Sequence, residues 1–110
     1  MKKEKKVVQI NGIPVIAEKE NVGNGKAALT VFAGSTGFCG GDRRAGGRTY
    51  VSLENAGAAD MIVNLVKDKN GNGTGFEIAA SGDAELMSIA YVLAAMSEML
   101  INTMTAGEEE

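Results

Sequence analysis

The stretch "SGDAELMSIAYVLAAMSEMLINTM" (81–104) narrows the possible folds more than any other part of the chain. Leu86, Ile89, Ala90, Leu93, Met96, Leu100 and Met104 recur at helical spacing. Acidic Asp83 and Glu85 suit the positive end of a helix dipole, and Ser81 or Asp83 supplies a cap. This pattern predicts a helix over about 83–105. A second apolar row, Met87, Tyr91, Ala95 and Met99, is offset from the first. One row suffices to cover a sheet of the same subunit. In so small a chain, the second predicts a helix-mediated homo-oligomer.

Upstream the period changes from helical to alternating. "VVQINGIPVIAEK" (7–19) sets two apolar runs around Asn11-Gly12, a favoured hairpin turn. Pro14 cannot donate a ladder hydrogen bond, which puts the second arm at an edge or a bulge. "KAALTVFAG" (26–34) and "RTYVSLEN" (48–55) alternate as half-buried strands do. "DMIVNLVKD" (60–68) and "FEIAA" (76–80) read as a further strand pair joined by "KNGNGTG". The expected class is α+β: an antiparallel β-meander of four to six strands packed by a long C-terminal helix. All of residues 1–110 form one domain in this reading, with charged tails at about 1–6 and 106–110.

Composition restricts the chemistry. The chain has no histidine, so no histidine-dependent triad, general base or metal site is available. A net charge of −3 argues against a nucleic-acid polymer as partner. A single cysteine forms no internal disulfide, and Cys39 reads as a small packed residue. Nothing resembles a signal peptide or a membrane span, so the expectation is a cytoplasmic protein. "GNGK" (23–26) lacks the upstream glycine and the Ser/Thr of a phosphate-binding loop. "DKNGNG" (68–73) matches the first half of a calcium loop, but its twelfth position is Ala79, and a polar turn is the better reading. No metal site and no catalytic group is expected, and no cofactor.

"GSTGFCGGDRRAGGRTY" (34–50) is what remains. Glycines such as Gly40 and Gly41 expose backbone N–H groups and accept the positive φ that an anion-cupping nest requires. Arg43, Arg44 and Arg48 offer planar forks for phosphate, and Phe38 and Tyr50 offer faces for a base. From composition alone two readings stand. One is a nucleotide site; the other is a Gly-rich surface loop whose arginines pair with Asp42 and solvent.

The run "AGSTGFCGGD…GGRTY", a following strand pair, "GDAEL" and a long C-terminal helix resemble the Thoeris anti-defence family of small phage proteins. The resemblance covers roughly residues 27–100. It implies a non-enzymatic sponge that holds cyclic ADP-ribose-type signals of bacterial immunity, and in some members cyclic oligonucleotides, inside the infected host. It implies a homo-oligomer, for instance dimers assembled into a hexamer, with ligand pockets at subunit interfaces. Phe38 would stack on the base, Arg48 with Arg43 or Arg44 would hold phosphate, and Asp42 would take a ribose hydroxyl or orient an arginine. Gly40, Gly41, Thr49 and Tyr50 complete the candidate site. The rival readings are a small enzyme acting on a nucleotide or phosphate ester through Asp42 and a metal, and a phage structural or interaction module.

Overall fold

The computed structural model describes residues 4–23, 25–38 and 46–108, with side chains as far as 104. Four strands form an antiparallel meander: β1 (Lys5–Ile10), β2 (Ile13–Val22), β3 (Leu29–Ser35) and β4 (Thr49–Asn55), in that spatial order. The hairpin β5 (Met61–Lys67) and β6 (Gly73–Ala80) forms a separate two-stranded sheet, and helix α1 (Asp83–Glu108) closes the chain. The expected α+β class and meander are therefore present. The fifth and sixth strands leave the sheet instead of extending it.

The turn between β1 and β2 is the Asn11-Gly12 turn, with φ of 50° and 82°. Those positive angles match the twist of the flanking strands, and Ile10 consequently pairs with Ile13. Pro14 lies opposite Gln9, on the part of β2 that β3 does not reach, so its missing N–H costs no ladder bond. The charged tail expected over 1–6 is shorter than that, because Lys5 and Lys6 already belong to β1. At the other end α1 continues to Glu108, three residues into the stretch expected as tail.

Each face of the sheet has its own core. On the helix side Leu29 and Val31 pack with Ala59 and Val92, flanked by Val22, Leu53, Met61, Ile89 and Met96. The sheet curls toward its other face, where Val15 and Ala17 are fully buried. There the Lys6 ammonium lies 4.3 Å from the centre of the Phe32 ring and 4.9 Å from that of Tyr50, so β1 folds back toward β4.

Helix α1 meets the sheet with only part of the row its spacing suggests. Ser88 and Val92 are buried and Ile89, Met96 and Leu100 partly so, while Leu86, Leu93 and Met104 are exposed. In the second row Met87 and Tyr91 are exposed, and Ala95 and Met99 are half-buried. From Asp83 to Met104 the helix is long and apolar enough to cross a membrane, with a mean hydropathy of 1.5. Its Val92 side is nonetheless committed to β3.

Candidate functional site at the neck of the glycine-rich segment

Residues 36–48 leave β3 and return into β4, and the two sides of this neck are tied together. Thr36 N–H donates to the Arg48 carbonyl at 3.0 Å, and Arg48 N–H donates to Thr36 Oγ1 at 2.8 Å. One step inward the Ser35 and Thr49 hydroxyls meet at 3.1 Å, and Gly37 N–H donates to Ser35 Oγ at 3.0 Å. Gly37 has φ of 81°, and a Cβ there would lie 3.0 Å from the Thr103 carbonyl oxygen. Glycine thus satisfies both the left-handed conformation and the close approach of the helix.

Above this neck is a cleft of about 290 Å³ lined by Ser35, Gly37, Phe38, Gly47 and Thr49 from the sheet side and by Leu100, Thr103 and Met104 from α1. Phe38 forms its rim and is 57% exposed, comparably to Tyr91 and Phe76 elsewhere on the surface. Ser35 and Thr103 also line a second, larger hollow of about 460 Å³, shared with Lys5, Glu18, Asn102 and Met99. The two hollows therefore meet along one trough on the helix side of the sheet. An aromatic face stands at one end, hydroxyls lie in the middle, and an ammonium, a carboxylate and an amide stand at the other end.

No protein-family model, curated protein or solved structure matches this chain.

The candidate residues distribute unevenly over this geometry. Phe38 and Thr49 come together in the cleft. Tyr50, the next residue along β4, points to the opposite face, beside Lys6 and Phe32. There the Lys6 ammonium lowers the Tyr50 phenol below its ordinary pKa of 10.0 by favouring the phenolate. Arg48 is buried on that same side, 8% exposed. Its Nε donates to the Ile10 carbonyl at 3.2 Å and its Nη1 to the Gly46 carbonyl at 3.2 Å. Its guanidinium thereby ties the end of β1 to the start of β4 as a strut across the curled sheet, away from the Phe38 cleft. Gly40, Gly41, Asp42, Arg43 and Arg44, like Cys39, lie outside the described residues.

The sequence reading did not anticipate Lys5, Ser35, Asn102 or Thr103. Lys5 and Asn102 sit in stretches that looked like tail and helix surface, and only the curl of β1 and the path of α1 bring them beside Ser35. The calcium-like stretch is a turn, as expected. Asp68 accepts from Asn70 N–H at 2.8 Å and Asn72 N–H at 3.0 Å, so its carboxylate is used within the hairpin. Among the described residues no three acidic or thiol side chains converge.

Proposed function

We propose that this chain captures a nucleotide signal and holds it without cleaving it. The observation that carries this reading is the trough at the glycine-rich neck, with exposed Phe38 at one end and Lys5, its cross-strand neighbour Glu18 and Asn102 at the other. Its shape suits a ligand with a flat base, a hydroxyl-rich sugar and an anionic group. Phe38 takes the base, Ser35, Thr49 and Thr103 take sugar hydroxyls or base edges, and Lys5 provides positive charge. Arg43 and Arg44 belong to the segment that leaves this neck and are its further phosphate donors. A chain without histidine can perform sequestration, which needs affinity and stoichiometry but no proton-transfer group. The resemblance to the Thoeris anti-defence family names the first probes: cyclic ADP-ribose isomers and cyclic oligonucleotides, with defence against bacterial immunity as the biological setting.

Phe38→Ala tests the trough directly. Loss of base stacking costs about 1–3 kcal/mol, or roughly a 5- to 150-fold weaker Kd by calorimetric titration with a bound cyclic nucleotide. Phe38 is exposed, so the melting temperature should barely move. An unchanged Kd in the folded variant would place the ligand elsewhere.

A further inference from the structure

Hairpin β5–β6 is built like an interface, and beyond Met61 its apolar face has no close partner among the described residues. Pairing sets Val63 opposite Ile78 and Leu65 opposite Phe76, so these four side chains share one face. Yet Leu65 is 68% exposed and Phe76 64%. A two-stranded hairpin is marginal in water by itself, and one with an apolar face turned to solvent is more so. The radius of gyration is 15.6 Å, against roughly 13 Å for a compact domain of this length.

The same face forms one wall of an open apolar wedge of about 300 Å³. Val63 and Phe76 stand on the arm side, and Val51 and Leu53 of β4 with Leu93 and Met96 of α1 form the floor. We propose that this wedge receives the β5–β6 arm of a second copy of the chain, and that the two copies clasp reciprocally.

Three observations select a second copy over other occupants. Area is the first. Val51, Val63, Leu65, Phe76, Leu86 and Leu93 are all about half exposed or more, and such side chains leave on the order of 100 Å² each. That amounts to about 600 Å² per chain and about 1,200 Å² for a pair, the lower bound of a stable interface from these side chains alone. Charge is the second: α1 carries Asp83, Glu85, Glu98 and Glu108 and no lysine or arginine, while the arm tip carries Lys67 and Lys69 on either side of Asp68, whose carboxylate is taken up by the turn's own N–H groups. An arm entering a neighbour's wedge brings those lysines toward an acidic helix. Self-complementarity is the third, since insert and receptor lie on the same chain and a two-fold pair satisfies both at once. A membrane would cover apolar area equally well, but it gives the flanking acidic residues no partner. This inference does not rest on the nucleotide reading.

The experiment combines solution mass with cross-linking between copies. Light scattering after size separation should give the wild-type chain a mass of two copies or a multiple of two. The double variant Leu65→Glu, Phe76→Glu should run as a folded monomer by circular dichroism. In a Cys39→Ser background, mixing Leu65→Cys protein with Leu93→Cys protein should give at least fivefold more mixed disulfide than mixing Leu65→Cys with Gln9→Cys. A monomeric wild-type chain, equal cross-linking in both mixtures, or a monomer that binds phosphatidylcholine–phosphatidylglycerol vesicles instead of pairing would each overturn the proposal. Should the double variant fail to fold, the cross-linking ratio decides by itself.

Discussion

Arg48 and Phe38 stand on opposite sides of the neck of the glycine-rich segment. Both looked like ligand contacts in the sequence, one by charge and one by its ring. Arg48 is buried with its guanidinium on the Ile10 and Gly46 carbonyls, whereas Phe38 projects over the cleft. No local pattern distinguishes them, because Ile10 is 38 residues away from Arg48 and only the curl of the sheet brings it near. The fold therefore predicts opposite outcomes for the two. Arg48→Met leaves two carbonyls without their charged donor and should cost about 1–3 kcal/mol, measured as a lower midpoint in urea with an unchanged slope. A variant as stable as the wild type would show that the strut carries no load.

At the scale of elements, alternation and turn chemistry made the meander legible, and Asn11-Gly12 and the helical spacing fixed its ends. What remained hidden was how elements sit on each other. Of the predicted row, Ile89 and Met96 reach the core while Leu86, Leu93 and Met104 stay exposed at the margin of the sheet, because α1 is rotated so that Ser88 and Val92 meet it. Spacing defines stripes on a helix; packing chooses among them. The turn at 68–72 shows the reverse, a local motif whose role is visible in the sequence. Backbone N–H donors, that of Asn72 first, lower the Asp68 pKa below its ordinary 3.8. A depressed carboxylate stabilises the folded turn fully above its unfolded pKa and loses that contribution as pH falls through the lower folded value. Amide exchange in the hairpin should accordingly become faster below about pH 4, relative to the intrinsic rate, and Asp68→Asn should remove that acid-dependent step. Exchange protection that is flat through this range would contradict the assignment.

At the scale of the whole molecule, two surfaces stand open among the described residues: the polar trough at the glycine-rich neck and the apolar wedge beside the β5–β6 arm. They lie at different places and differ in chemistry, so each can be altered without touching the other. The function proposed for the trough is capture without cleavage. Capture followed by release measures that directly. Purified protein is incubated with cyclic ADP-ribose isomers and cyclic oligonucleotides, freed of unbound ligand, denatured by heat, and the released material is identified by mass spectrometry. Near-stoichiometric recovery of one intact cyclic nucleotide from the wild type, and far less from Phe38→Ala, is the predicted result. Recovery of a cleaved product, or no retained nucleotide from any member of the panel, would contradict it.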